Sequence, residues 1–336
     1  MMELSKTWDE LRPDGGSDGA YVRLRLPSVP SCAVYAAKRH ITGLEALVVE
    51  VATASLPAGV TLPTSRGFDL TSEPIEAGRD GRTRLILELA HVRFRDIFHT
   101  LCEDLVRSLT AAKTDQSAMR EFISRLARWQ AFLHRHPLDG LPLEVRRGLY
   151  GELSFIQFLF DHGHSPERVI AGWTGYHAAS HDFQFASGHV EVKTSAASTP
   201  HVFRVSNASQ LDDYGIPALF VHLVKVAEGE GGTSTLPDAV ENIRSVLDEH
   251  SRAVFDDGLL EAGYTDAHRS LYSTPRYSIQ SRRFFRVRDG FPRLLAADLP
   301  SGVEDIRYGV AIPACAPFEV GGPSVISLVS PNDTDQ

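Results

Sequence analysis

Cysteine is scarce in this chain. Cys32, Cys102 and Cys315 are the three among 336 residues, far apart and without CxxC spacing. That pattern argues against a disulfide framework and against a zinc site. Long apolar runs are missing as well, none approaching the roughly 18 residues that a membrane helix needs. The opening residues, MMELSKTWDE, have neither the basic region nor the apolar stretch of a secretory signal, so a cytoplasmic protein is expected. Internal repeats and extended low-complexity tracts are absent too. So is a positive balance: the formal charge is −9. This excludes a uniformly basic coat for nucleic acid, but phosphate binding depends on local patches and stays open.

What the chain does have is core material, with 43% hydrophobic residues in a length that calls for more than one unit. Alternating runs at Tyr21–Leu26, Ala46–Ala52 and Thr83–His91 predict a β-rich N-terminal unit over 1–112, closed by a helix near Asp96–Leu109. Loops are expected at Leu56–Pro63 and Glu73–Gly81. Residues 113–228 are expected to form a central unit. In it Met119, Phe122, Ile123, Leu126, Trp129 and Leu133 recur at helical spacing and stop before Pro137. A second helix opens after Pro142, with Val145, Leu149, Ile156 and Leu159 as its apolar stripe. Glu152 falls on that stripe, either at its solvated edge or aimed inward, where a carboxylate must be paired, protonated or metal-bound. Downstream come a strand at Val202–Val205, a helical turn at Asn207–Asp213 and an apolar strand at Ala218–Val226. Residues 229–330 read as an α+β region: a helix from Leu236 to about Tyr264, then strands over Tyr277–Val287 and Arg307–Ile312. The closing SPNDTDQ is expected to be disordered.

The chemistry concentrates in HDFQFASGHVEVKTS. Ser187-Gly188 reads as a two-residue hairpin turn, which would set Phe185 opposite Val190, Gln184 opposite Glu191 and Asp182 opposite Lys193. Strand alternation then gives one apolar face of Phe183, Phe185, Val190 and Val192. The other face carries Asp182, Glu191 and Lys193, two carboxylates and an ammonium suited to holding a divalent metal beside a phosphate.

The order of elements is a helix with Glu152, a strand with Asp182, a strand with Glu191-Val192-Lys193, a further strand, a short helix and an apolar strand. This αβββαβ order resembles the core of the PD-(D/E)XK nuclease superfamily. The residues RGLYGEL, Trp173, HDF, VEVKTS and SNASQL resemble, more specifically, a bacterial family of PD-(D/E)XK motif proteins, most clearly over 142–225. His181 stands where the superfamily usually has Pro. The fold the resemblance implies is α/β: a restriction endonuclease-like core with a mixed sheet, flanked by the β-rich N-terminal and α+β C-terminal units.

The resemblance also implies roles. Asp182 and Glu191 would bind Mg²⁺ (or Mn²⁺), a hard cation that prefers oxygen, with the Val192 carbonyl as a further ligand. Lys193 would orient the attacking water or neutralise the phosphate. Glu152 would serve a second metal, and Gln210 would position Lys193, the water or a phosphate; Gln210 also reads as an ordinary polar residue at a helix start. Thr194 and Ser195 are candidates for phosphate contact or plain turn formers. Arg146 and Arg147, one turn before Glu152, and Arg282, Arg283 and Arg286 in the C-terminal region could track a phosphate backbone. Arginines on a strand edge equally deter aggregation. Seven His residues lie within 141–225, among them His181 and His189, in no standard zinc spacing.

The function implied is a Mg²⁺-dependent endonuclease acting on DNA, in a restriction or anti-phage setting. A homodimer would serve two strands, and methyltransferase or ATPase partners are implied. A catalytically silent nuclease-fold subunit that binds DNA or assembles a defence complex is the competing expectation, and RNA or single strands are alternative substrates.

Overall fold

The computed structural model describes residues 4–12, 21–27, 29–56, 62–75, 81–176, 180–196 and 201–329. The closing SPNDTDQ, residues 57–61 of the first expected loop and residues 76–80 of the second lie outside them. The chain forms two compact units, one of Met1–Asp139 with Thr265–Ala267 and one of Gly140–Tyr264 with His268–Gln336. The expected three-way division at 112 and 228 thus becomes two units: the helix around Trp129 groups with the N-terminal sheet, and the C-terminal strands join the central one.

The first unit runs α1 (Leu4–Glu10), β1 (Tyr21–Leu26), β2 (Ala33–Arg39), β3 (Glu45–Ala52), β4 (Phe68–Pro74), β5 (Arg82–Leu89), α2 (Arg95–Thr110) and α3 (Asp115–Arg135). Its antiparallel sheet has the order β1-β2-β3-β5-β4. Alternation buries Val34, Ala36, Leu47, Val49, Leu85 and Leu87 completely. The other face carries an ion-pair network in which Glu50 meets Arg23 and Arg84, and Glu88 meets Arg39. Helix α3 begins in a capping box, where the Thr114 side chain accepts the Ser117 amide and the Ser117 hydroxyl accepts the Thr114 amide.

The second unit runs α4 (Leu143–Asp161), α5 (Pro166–Gly172), β6 (Phe183–Phe185), β7 (Gly188–Ser195), β8 (Val202–Val205), β9 (Leu219–Gly229), α6 (Leu236–Arg244), α7 (Glu249–Glu261), β10 (Arg276–Val287), β11 (Tyr308–Ala311), β12 (Glu319–Val320) and α8 (Pro323–Ile326). The sheet order is β12-β10-β9-β7-β6, mixed because β7 and β9 are parallel and the other pairs antiparallel. The class is therefore α/β with a mixed sheet. On one face, Leu153, Ile156 and Leu159 of α4 share a core with Phe183, Val190, Phe220 and Phe284. On the other, Phe203 and Val205 of β8 and Val310 of β11 cover Val221, Leu223 and Phe285.

Two expectations are corrected. Strand β8 is not a member of the sheet but pairs antiparallel with β11 in a two-stranded ribbon. Its apolar Phe203 and Val205 are satisfied by lying on the second face rather than by lengthening the sheet. The hairpin register is also displaced: Phe183 lies opposite Val190, Gln184 opposite His189 and Phe185 opposite Gly188. The turn is thus Ala186-Ser187. Gly188 is drawn into the strand because it lies against the Ala218 carbonyl, where any side chain would collide. The displacement is by two residues, so every side chain keeps its predicted face.

Candidate functional site

Helix α4 delivers Glu152 to the site. Its buried face is Leu149, Tyr150, Gly151, Leu153, Ser154, Phe155, Ile156 and Leu159, while Val145, expected on the stripe, is 45% exposed. Glu152 sits at the margin of that face, half-buried, and its Oε2 accepts a 2.8 Å hydrogen bond from the Trp173 indole N–H. Of the two readings of this acid, the paired inward one is what the geometry has.

Asp182 lies immediately before β6 and is fixed three ways. Its Oδ2 accepts the Val192 amide at 2.7 Å, and its carbonyl accepts the amides of Thr174 at 2.8 Å and Gly175 at 2.9 Å. Glu191, 1% exposed, receives Lys193 Nζ on Oε1 at 2.6 Å, while its Oε2 is buried without a hydrogen-bond partner. Lys193 Nζ also donates to Gln210 Oε1 at 3.0 Å, and that oxygen accepts the Ser206 amide at 2.9 Å. Gln210 therefore combines both expected behaviours, closing a 3-10 turn (Ala208–Leu211) and steadying the lysine.

Gly175 marks the space these acids share. A methyl group built on it would stand 2.8 Å from Asp182 Oδ1 and 2.8 Å from Glu152 Oε2. Both oxygens thus face one small volume that only a residue without a side chain leaves clear. Burial, then the Asp182 and Glu191 charges, pushes the Glu152 carboxyl well above the usual range; the Trp173 N–H and Lys193 act against this. Burial pushes Asp182 up to about 6, opposed by the Val192 amide and Lys193. Burial and Asp182 push Glu191 up to about 8, opposed by Lys193 and the Asp182 amide. Three carboxylates crowd one ammonium, and the ionised cluster is short of positive charge.

Among the described residues no three His, Cys, Asp or Glu side chains form a ready-made cation site. The donors nevertheless fit a hard divalent ion. They are all oxygen, Glu191 Oε2 has no partner, and Asp182 Oδ1 and Glu152 Oε2 border the same volume. Two carboxylates and the Val192 carbonyl would begin such a ligand set, and Glu152 Oε2 would add a further oxygen.

The remaining candidates are placed as follows. Thr194 is on the opposite face from Lys193, against Gly151 of α4, its hydroxyl buried and unpartnered. Ser195 ends β7, half-buried. Arg146 donates to the carbonyls of Leu271 and Thr274 and lies over the Tyr272 ring. Arg147 is clamped by Glu228, and Arg283 by both carboxylate oxygens of Glu319. Arg282 reaches Ser154 Oγ and carbonyl and lies over Phe158. Arg286 is exposed beside the Phe220 ring. His181 and His189 approach through their Nδ1 atoms at 3.2 Å, and burial lowers both, His181 to about 4. In the sequence Trp173 stands out only as part of the family resemblance and Gly175 not at all; neither belongs to a periodic run, and what they do is set by tertiary contacts.

The raised carboxyls set a pH dependence. Folding raises the Glu191 pKa from 4.5 to about 8. In that interval the folded chain holds a proton that the unfolded chain has released. The resulting stabilisation is complete below the ordinary carboxyl range and lost as pH rises through about 8. Asp182 acts in the same sense at lower pH. The depressed histidines act oppositely up to the ordinary histidine range, so the clear window is roughly pH 7–8.5. Melting in EDTA should fall across that window, fall less with Mg²⁺, and fall less steeply in Glu191→Gln, where the raised Glu152 carboxyl still contributes. A wild-type curve as flat as that of Glu191→Gln would contradict the assignment.

Residues 4–313 match a family model described as "Putative PD-(D/E)XK family member, (DUF4420)". No curated protein and no solved structure matches the chain.

Proposed function

The chain belongs to this PD-(D/E)XK-type family over nearly its whole length, and from that membership and the acid cluster we propose that it is a Mg²⁺-dependent phosphodiesterase cutting DNA. The core from α4 to β9 is read as restriction endonuclease-like, with β8 displaced onto the sheet's second face. The observation that carries this reading is the gathering of Glu152, Asp182 and Glu191 around a single ammonium, with Glu191 Oε2 buried and unpartnered.

Asp182, Glu191 and the Val192 carbonyl would hold the ion, with Glu152 as a further oxygen donor. A divalent ion such as Mg²⁺ or Mn²⁺ held there would supply Lewis-acid polarisation of the scissile phosphate and offset its developing charge. Lys193, steadied by Gln210, orients the attacking water and offsets charge on the phosphate. Excluding bulk water from a buried cluster strengthens each of these interactions. Action on both strands of a duplex calls for two copies of the site, hence a homodimer, and a restriction or anti-phage role is the setting the family resemblance supports.

The test is cleavage of unmodified and phage DNA by the purified chain, with Mg²⁺ and with EDTA, alongside an RNA of equal length. Metal-dependent cuts in DNA are expected. DNA binding without cleavage or metal uptake would instead identify a silent nuclease-fold subunit.

A further inference from the structure

Trp173 is completely buried, yet its one polar atom points at the acid cluster. The indole N–H donates to Glu152 Oε2 at 2.8 Å. The ring is held in place from behind by Tyr176, edge-on at 4.8 Å between centroids, and by Phe255 at 5.5 Å. Phe255 belongs to α7, outside the segment that carries the motif. Gly258, one turn along the same helix, makes the notch: a methyl group there would stand 2.8 Å from Trp173 Cζ3 and 2.6 Å from Tyr176 Cε1. The backbone is fixed as well. Trp173 forms an isolated antiparallel bridge to Phe183, and the next two amides bind the Asp182 carbonyl. One short segment thus grips two acids, Glu152 through a side chain and Asp182 through main-chain N–H groups.

We propose that Trp173 is a positioning residue of the site: seated in the Gly258 notch of α7, it aims the Glu152 carboxylate at the volume beside Gly175. This rests on the nuclease reading only for its consequence in catalysis; the clamp itself is a statement about two side chains. The buried N–H fixes Oε2, the same carboxylate oxygen that borders the volume beside Gly175. Hydrogen bonds that orient a metal-binding group are commonly worth 10- to 100-fold in metal affinity or activity. Helix α7 therefore belongs to the working site although it lies far along the chain from the motif.

The test has two arms on the full-length chain. In the first, the Trp173 indole ¹H–¹⁵N resonance is compared between wild type and Glu152→Ala. A clear upfield proton shift and faster solvent exchange in the variant are expected, and an unchanged resonance overturns the proposal whatever the chain's activity. In the second, Trp173 is replaced by 3-benzothienylalanine, which keeps the bicyclic ring and puts sulfur in place of the N–H, so that the packing lost in Trp173→Phe is retained. Mn²⁺ affinity by calorimetry and DNA cleavage should each fall by about 10- to 100-fold with melting within a few degrees of wild type. Wild-type affinity and cleavage in the analogue overturn the proposal. Failure of the nuclease reading looks different: wild type itself neither binds Mn²⁺ nor cuts DNA, while the first arm still reports on the clamp.

Discussion

Replacing Lys193 by Ala is expected to lower the rate of DNA cleavage by at least roughly 100-fold, the scale of losing one preorganised charge-stabilising group. The ammonium is held by Glu191 at 2.6 Å and Gln210 at 3.0 Å, so its position costs no reorganisation when charge develops nearby. Asp182→Ala should lose as much or more, because it would remove an oxygen of the proposed metal site and releases the Val192 amide. The two variants should separate in metal binding: Asp182→Ala loses Mn²⁺ affinity, whereas Lys193→Ala retains or gains it, since an opposing cation has left. Cleavage at wild-type rates in both would sink the site assignment.

The second large effect concerns stability. In the first unit, Arg125 of α3 meets Asp104 of α2 through two hydrogen bonds, Nε to Oδ2 at 2.6 Å and a terminal nitrogen to Oδ1 at 2.8 Å. Trp129 Nε1 adds a third to Oδ2 at 2.8 Å. Both charged side chains are almost wholly buried. Asp104→Ala takes the carboxylate away from a buried guanidinium and the acceptor away from a buried indole N–H, a change that typically costs about 3–5 kcal/mol. For a unit of this size that is a fall of roughly 10 °C or more in its unfolding temperature. Asp104→Leu with Arg125→Met removes both charges and should restore most of the loss. A shift of only a degree or two for Asp104→Ala by calorimetry would show that the pair is solvated and unimportant.

Much of this was legible in the sequence, for identifiable reasons. Helices α3 and α4 declare themselves through apolar spacing, and α4 also through Pro142 before its start. The β6–β7 faces follow from strict alternation, which a two-residue displacement cannot disturb. Other elements carry weaker signals. Strand β2 reads AVYAAKR and β4 reads FDLTSEP; alanines, Asp and Pro are poor strand formers, and both are made strands by their neighbours. The expected single helix from Leu236 breaks into α6 and α7 because Asp248 caps the second, accepting the Ser251 amide at 2.7 Å. The glycine of Ser187-Gly188 suggests a turn, but its role is close contact with Ala218. Within the site, the (D/E)XK pair and Asp182 are readable from spacing. The Trp173 clamp, the Gly175 opening and the internal partners of Arg147, Arg282 and Arg283 depend on residues distant in the chain and leave no local trace.

The parallel seam between β7 and β9 has a consequence for biogenesis. Its partners, from His189 with Leu219 to Ser195 with Lys225, are non-local in sequence. Such pairings form slowly, because a long loop must close before any contact compensates its entropy. The row bearing Glu191 and Lys193 therefore locks into place late, after the chain through β9 has been synthesised. A ribosome-stalled chain ending at residue 210 should leave the VEVKTS segment open to protease, whereas one extended through residue 290 should protect it; equal protection in both would mean that the hairpin matures without its parallel partner.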